Sequence, residues 1–225
     1  MRIIRAIVAG ERDLDMLASY RDVRCHSSVE TIKAALNGND REEHIFALTQ
    51  SLELYDFYQS KMLECDRHLE VTLATLAADQ EHDLRKMPKV RTKRKQVNAP
   101  SFDVRAALFG LLGVDLTQIH GMGPSLFLKL VGECGTDLRA WPSAKHFTSW
   151  LCLAPGNKIS GGKVLSSRTR RSSSRAAAPL RLAAVTIGRS DTALGAFYPR
   201  LAARAGKAKA VTATARKIAV LFYNT

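Results

Sequence analysis

Acidic residues are almost missing from the C-terminal part of the chain. Residues 139–225 contain 16 Lys and Arg but only one acid, Asp191, so their net charge is +15. Residues 1–85, in contrast, carry 10 Lys and Arg against 16 Asp and Glu. A segment so short of carboxylates repels itself, whereas beside a polyanion each bound cation releases a condensed counterion. The charge predicts a nucleic-acid partner, with a merely soluble basic surface as the alternative.

Long apolar runs and paired cysteines are missing as well. No window approaches the roughly 18 uninterrupted apolar residues of a membrane span. The N-terminal residues turn acidic too soon for a secretory signal. The four cysteines, Cys25, Cys65, Cys134 and Cys152, form no C-x-x-C pair. This spacing argues against a zinc knuckle or a disulfide framework and suits a reducing cytosol, so we expect a cytoplasmic protein without membrane contact.

The apolar residues that are present indicate a mainly α fold. Hydrophobic residues make up 46% of the 225 residues, enough for a core. Positions 45–76 repeat in steps of three and four and are mostly apolar: Ile45, Leu48, Leu52, Tyr55, Gln59, Met62, Asp66, Leu69, Leu73 and Leu76. They predict a long helix with a coiled-coil seam. Homo-oligomer formation through 45–76 and packing within one chain both remain open.

Residues 86–100, KMPKVRTKRKQVNAP, indicate a basic linker and the clearest domain boundary. They separate a helical, coiled-coil-like segment at 1–85 from a small helical domain at 101–225. The linker is either a solvated tether or a source of phosphate contacts. Within these domains, Asp40 and Ser101 are predicted to cap helices.

The densest motif, IHGMGPSLFLKL at 119–130, predicts a helix-hairpin-helix near 113–131. Gly121 and Gly123 lack Cβ atoms, which lets the backbone approach a phosphate. Pro124 suits the first turn of the next helix, whose N-terminus favours an anion. Met122 is expected to enter the core. The motif predicts DNA contacts at Gly121, Gly123, Ser125 and Lys129, although an ordinary αα-turn would show the same glycines.

A glycine-flanked serine lies in the next basic stretch. The loop 155–164 contains GNKISGGK, which nearly imitates a P-loop, but Gly162 occupies the Lys position and no strand pattern precedes it. We therefore reject nucleotide binding and predict a flexible basic loop with Ser160 between Lys158 and Lys163.

An arginine-rich arm and alanine-rich helices complete the chain. Residues 166–175, SSRTRRSSSR, read either as a disordered arm or as guanidinium forks for phosphates. Its candidate DNA contacts are Arg168, Arg170, Arg171 and Arg175. We interpret Trp141, Phe147 and Trp150 as core residues, although exposed aromatics can also stack on bases. The remainder predicts alanine-rich helix with two breaks.

Residues 119–223 resemble the C-terminal domain of the insertion sequence 110 type transposases, which are serine-dependent, RNA-guided DNA recombinases. The resemblance is carried by IHGMGPSLFLKLVGECG, WPSAKHFTSWLCLAPGNKISGGK, LRLAA, FYPRLAARAGKAKAV and ARKIAVLFY, in the family's order. It implies that Ser160 is the catalytic nucleophile, that DNA is the substrate, and that a guide RNA is a further partner. A serine hydroxyl needs a base or a metal to take its proton.

Two departures from that family limit the expectation. Family members begin with a RuvC-like domain whose four acidic residues hold divalent metal, and residues 1–85 show no matching motif. A Gly-Asn pair usual in the family is replaced by Ser173 and Ser174. We therefore expect a nucleoid-associated bacterial transposase fragment. It would bind no cofactor alone, would need Mg²⁺ only with the RuvC-like domain, and would be inactive by itself. A non-catalytic helix-hairpin-helix protein and a structural oligomerisation protein are the alternatives.

Overall fold

A computed structural model describes residues 1–80, 82–90, 99–171 and 174–225. The chain divides into two compact units, residues 1–65 and residues 66–225. Helices dominate both, which confirms the mainly α prediction. The division falls within a long helix rather than at the predicted 86–100 linker, of which residues 91–98 lie outside the described residues. A domain boundary at that linker stays a prediction.

The first unit is a set of short helices with a small core. It contains α1 (Arg2–Val8), α2 (Leu14–Ser19), α3 (Val29–Leu36) and the first part of α4 (Glu42–Ala77). Asp13 and Ser28 cap α2 and α3 by accepting backbone N–H bonds. The predicted cap at Asp40 is not seen, because α4 begins at Glu42 and the Asp40 carboxylate pairs with Arg12 at 3.2 Å.

Among its described residues, the second unit packs six further helices around one core. They are α5 (Val104–Leu112), α6 (Pro124–Cys134), α7 (Ala144–Trp150), α8 (Ala177–Ile187), α9 (Ala193–Ala205) and α10 (Lys207–Asn224). Helix α10 packs against α7, α8 and α9, and α6 packs against α5 and α8. Leu108, Phe127, Phe147 and Ile218 are among the fully buried side chains of the core. The two breaks predicted in the alanine-rich stretch are confirmed, between α8 and α9 and at Gly206.

The helix predicted from Ser101 onward is shorter than the sequence indicated. Asp103, rather than Ser101, caps α5 by accepting the Ala106 N–H at 3.0 Å. The helix ends at Gly113, whose φ of +70° is left-handed and costs glycine little. Asp115 then caps a short 3-10 segment, Leu116–Gln118. The stretch between 104 and 118 is therefore one helix and one 3-10 turn rather than one continuous helix.

A buried ion pair holds this helix to the preceding chain. The Arg105 guanidinium donates to the Asp115 carboxylate, and it also donates to the Pro88 carbonyl. The Asp115 side chain is fully buried and also accepts bonds from Thr117 and Gln118. Burial alone would raise the pKa of Asp115, but these hydrogen bonds outweigh it and the net shift is downward. Asp115 is therefore ionised at neutral pH.

Candidate nucleic-acid interface

The predicted loop around Ser160 is an ordered β-hairpin, so the prediction of a flexible loop was wrong. Strand β1 (Lys158–Ser160) pairs antiparallel with β2 (Lys163–Ser166). Gly161 and Gly162 connect the strands with φ of +53° and +77°. Two successive positive φ values characterise the type I′ turn, which matches strand twist and strongly favours glycine. The turn places Ser160 at the tip of the hairpin, directly opposite Lys163.

Alternation along the strands divides the hairpin into a polar and an apolar face. Lys158 and Ser160 are two residues apart in β1, and Lys163 faces Ser160 across the ladder, so these three share one face. Ile159 and Val164 pair on the opposite face, and their exposed fractions are 62% and 58%. The exposed serine is thus flanked by two exposed amines.

The base of the hairpin is held to the helical core. An isolated bridge joins Pro155 to Thr169, and the Gly156 N–H donates to the Arg168 carbonyl at 3.0 Å. The Arg170 guanidinium donates to the carbonyl of Ser149, in α7, at 3.0 Å. These bonds fix where the hairpin leaves the core.

The remaining arginines of the arm differ from one another. Arg168 and Arg171 are exposed. The Arg175 guanidinium pairs with Glu133 of α6 at 2.8 Å, so part of its charge is already compensated. Lys129 lies one turn before Glu133 on the same helix and is exposed. Lys129 therefore lies on α6, and Arg175 contacts the same helix through Glu133. Ser173 lies outside the described residues.

The glycine turn before α6 is shaped by packing. Gly121 has a φ of +81°, and a Cβ there would lie 2.5 Å from the Ala183 carbonyl oxygen in α8. Met122 is buried, as predicted, with 2% of its surface exposed. Pro124 is the first residue of α6, also as predicted, with Gly123 at the N-cap and Ser125 next in the helix. The close approach of Ala183 explains why Gly121 is glycine, and a phosphate contact there stays a prediction, as does the helix-hairpin-helix motif.

A cleft of about 500 Å³ borders this turn. Its walls include His120, Ser125 and the first residues of α6, Thr186 near the end of α8 and Arg189 just after that helix, together with the carboxylate Asp103. The sequence did not indicate Arg189 as a site residue, because no local pattern predicts that it lies beside a glycine turn more than sixty residues earlier. The cleft combines a cation, hydroxyls and a helix N-terminus, a set suited to an anion.

The aromatic residues form one cluster on α7 and its neighbours. Phe147 is fully buried and contacts both Trp141 and Trp150. Trp141 and Trp150 have ring centroids 4.8 Å apart. Trp150 remains 44% exposed, so it is only partly the core residue that the sequence indicated.

The described residues contain no cluster of metal-binding side chains that could activate Ser160. Among them, no group of three or more His, Cys, Asp or Glu side chains is arranged to hold a metal ion. A thiol alternative at Cys134 is unsuited to nucleophilic attack, because burial, with a contribution from Glu133, raises the pKa of this thiol to about 12. The described residues therefore offer no ligand set for a divalent metal, and the expectation that Mg²⁺ requires an acidic domain stays a prediction.

The seam predicted on α4 divides into two rows. Tyr55, Met62, Leu69 and Leu76 follow one another every seven residues and are 41%, 48%, 40% and 56% exposed. The other row is buried near its ends, at Leu52 and at Leu73. Part of the seam is therefore used within each unit. Homo-oligomer formation through the exposed row stays a prediction, which sedimentation of the full chain can test.

Comparison with known families identifies the region that contains the hairpin and the glycine turn. Residues 115–199 match the Transposase IS116/IS110/IS902 family. We refer to this matched stretch as the transposase-like segment. The resemblance seen in the sequence is thus confirmed for the segment that runs from Asp115 into α9, including Ser160. No curated protein and no solved structure matches the chain.

The family assignment supports a transposase of an insertion sequence, and with it an interaction with DNA. The transposase-like segment begins at the 3-10 turn capped by Asp115 and includes the Ser160 hairpin. It lines only part of the cleft, whose other lining residues fall between Val90 and Arg105. Within the described part of the chain, no helix combines the length and the apolar character needed to cross a bilayer.

Proposed function

We propose that residues 101–225 bind DNA through phosphate contacts and that Ser160 is the nucleophile of strand cleavage and rejoining. The observation that carries this proposal is the hairpin tip: an exposed serine on the same face as two exposed lysines, within a positively charged segment that matches a transposase family. The amines would lie beside any phosphate that the hydroxyl reaches. Lys158 and Lys163 then neutralise charge on the non-bridging oxygens as the transition state forms.

The chemistry assigned to Ser160 is a transesterification. Its Oγ attacks the phosphorus of a phosphodiester, a P–Oγ bond forms, and the P–O bond to one deoxyribose breaks. The hydroxyl proton passes to a base, and the departing sugar oxygen takes up a proton. The resulting phosphoserine linkage retains the ester bond, so the sugar hydroxyl of another strand can reverse the step and rejoin DNA. We propose that the acidic, metal-binding domain implied by the family resemblance supplies this base.

Phosphate contacts are proposed at two places in the domain. One is the hairpin and the adjacent arm, at Lys158, Lys163, Arg168, Arg170 and Arg171. The other is the turn and first half of α6, at Gly123, Ser125 and Lys129, next to the cleft that Arg189 borders. A guide RNA is a further proposed partner. The RNA would present a second phosphate backbone, which positively charged side chains also attract.

Replacing Ser160 by alanine separates binding from catalysis. We expect Ser160→Ala to bind duplex DNA within about twofold of the wild-type chain, because a neutral hydroxyl adds little to a phosphate-dominated affinity. Incubation with duplex DNA and Mg²⁺, followed by a denaturing gel, measures covalent adducts. Any adduct that the wild-type chain forms must be lost in Ser160→Ala. An adduct that persists in the variant would remove Ser160 from its role.

A non-catalytic nucleic-acid-binding module is the second candidate. The glycine turn, the cleft and the positive charge favour it, and it needs no nucleophile. It predicts normal binding by Ser160→Ala and no adduct from any form of the chain, even when the chain is joined to an acidic metal-binding domain. Formation of a phosphoserine at position 160 by such a fusion would decide in favour of catalysis.

A further inference from the structure

Helices α9 and α10 present a second positively charged surface, beyond the segment that matches the transposase family. Residues 192–225 contain six Lys and Arg and no Asp or Glu. Five of these six cations are exposed: Arg200, Arg204, Lys207, Lys209 and Lys217. We refer to these five residues as the α9–α10 cationic surface. All of them follow residue 199, where the family match ends.

The arrangement of these cations is unfavourable in the isolated chain. Arg200 and Arg204 are four residues apart on α9, so their guanidinium groups lie on the same face, where like charges destabilise a helix. The Lys217 ammonium is 4.7 Å from the ring centroid of Phe197, which lies one turn before Arg200. The Lys217 ammonium of α10 is thereby held against α9, the helix that carries Arg200 and Arg204.

No carboxylate compensates this charge among the residues that the structure describes. The ion pairs found there involve other cations, such as Arg24 with Asp22, Lys61 with Glu64 and Arg139 with Asp137. Those three pairs lie on exposed surfaces too, so exposure alone does not explain the absence of partners on α9 and α10. A surface of like charges held on two rigid helices is instead suited to a polyanion.

The chemistry of the surface favours a double helix over a single strand. Proteins that bind single strands combine cations with exposed aromatic rings on which bases stack. On α9 and α10, Phe197 lies under Lys217, and Tyr198 packs against Gly188, so neither ring is a free platform. The cations stand among alanine, threonine and aliphatic residues. Such a surface can contact phosphates but has little with which to hold an unstacked base.

We propose that the α9–α10 cationic surface contacts the phosphate backbone of duplex DNA, as a binding surface additional to the Ser160 hairpin and the turn before α6. This inference rests on the proposed DNA-binding function of the chain. The contact is independent of base sequence, because phosphates carry no sequence information. Its role is to increase affinity and to fix the orientation of the duplex.

The test compares three full-length variants that each lose three positive charges. The first carries R200Q, R204Q and K209Q, on the proposed surface. The second carries K158Q, K163Q and R168Q, in and beside the hairpin. The control carries R24Q, K61Q and R139Q, whose cations have carboxylate partners. Net charge is equal in all three, so a difference in the salt dependence of duplex DNA binding reports on contacts rather than on overall charge.

We expect the slope of log K against log salt to become less steep by about 3 in the α9–α10 variant. Its binding at physiological salt should be about tenfold weaker or more, whereas the control variant should change little. Binding by the α9–α10 variant that equals the control, while the hairpin variant is impaired, overturns this inference alone. Absence of duplex binding by the wild-type chain overturns the proposed function as well. A loss that is larger for single-stranded DNA or duplex RNA than for duplex DNA overturns the assignment to duplex DNA.

Folding of the α9–α10 variant is checked separately. Removing the repulsion between Arg200 and Arg204 is expected to leave the melting temperature unchanged or higher. If the triple variant does not fold, the single variants Arg204→Gln and Lys209→Gln replace it, each with an expected slope change of about 1. Slopes that stay at the wild-type value in both single variants contradict the proposal.

Discussion

Replacing Arg105 by alanine is expected to destabilise the second unit by about 3–5 kcal/mol, because it leaves the Asp115 carboxylate buried without its cation. The Arg105 Nε and Nη2 atoms lie 2.9 Å and 2.5 Å from Asp115 Oδ2. The Asp115 side chain has no exposed surface, and that of Arg105 is 9% exposed. The same guanidinium also donates to Thr117 and to the Pro88 carbonyl, so the substitution also removes a hydrogen bond to the first part of the linker.

Both tryptophans of the chain, Trp141 and Trp150, belong to the second unit, so their fluorescence during urea unfolding reports on this unit alone. Arg139→Ala is the matched control. Its ion pair with Asp137 is also local, but the Arg139 side chain is 91% exposed, and such pairs contribute about 0–1 kcal/mol. If Arg105→Ala cost no more than Arg139→Ala, the buried pair would not stabilise the domain.

Replacing Gly121 by alanine is expected to cost about 2–5 kcal/mol, the sum of two effects. A left-handed backbone costs a residue with a Cβ about 1–2 kcal/mol, and φ at Gly121 is +81°. In addition, the new methyl would lie 2.5 Å from the Ala183 carbonyl oxygen, and overpacking of this kind costs about 1–3 kcal/mol. Helices α6 and α8 would have to move apart to relieve the contact.

Gly135 offers a control that separates the two effects. Its φ is +76° and a Cβ there would meet nothing within 4 Å, but its ψ of −175° lies in a backbone region almost confined to glycine. Gly135→Ala therefore shows a backbone cost of about 1–3 kcal/mol without any clash, and Gly121→Ala is expected to exceed it. A loss below about 2 kcal/mol for Gly121→Ala in tryptophan-monitored unfolding would mean that the packing against Ala183 is not tight. The expected clash also means that lost DNA binding in a Gly121 variant is not evidence for a phosphate contact there.

The helical part of the fold could be predicted from local pattern. Apolar residues at steps of three and four indicated α4, and the alanine-rich stretch indicated three helices with two breaks. Pro124 correctly marked the start of α6, and Met122 was correctly placed in the core. These features depend on residues close together in the chain, so periodicity and glycine or proline positions were enough to find them.

The features that the sequence missed are either very short elements or contacts without a local pattern. The β-hairpin was missed because its strands are only three and four residues long, although its Gly-Gly turn is itself a hairpin signal. The pairing of Arg105 with Asp115, the place of Arg189 at the cleft and the approach of Ala183 to Gly121 have no local signature. The nucleophile role of Ser160 came from family resemblance, because an exposed serine between lysines does not by itself indicate catalysis.

The salt dependence of duplex DNA binding by the full-length chain tests the central claim most directly. If residues 101–225 contact six or more phosphates, affinity should fall by about 10³-fold or more between 50 and 200 mM salt, with a slope of log K near −5 or steeper. The slope should be less steep by about 3 in the hairpin variant, which carries K158Q, K163Q and R168Q. It should be nearly unchanged in the control variant, which carries R24Q, K61Q and R139Q. Three results would contradict the claim that residues 101–225 bind DNA through phosphate contacts. These are no duplex binding, binding that does not depend on salt, and equal binding by the hairpin variant and the control variant.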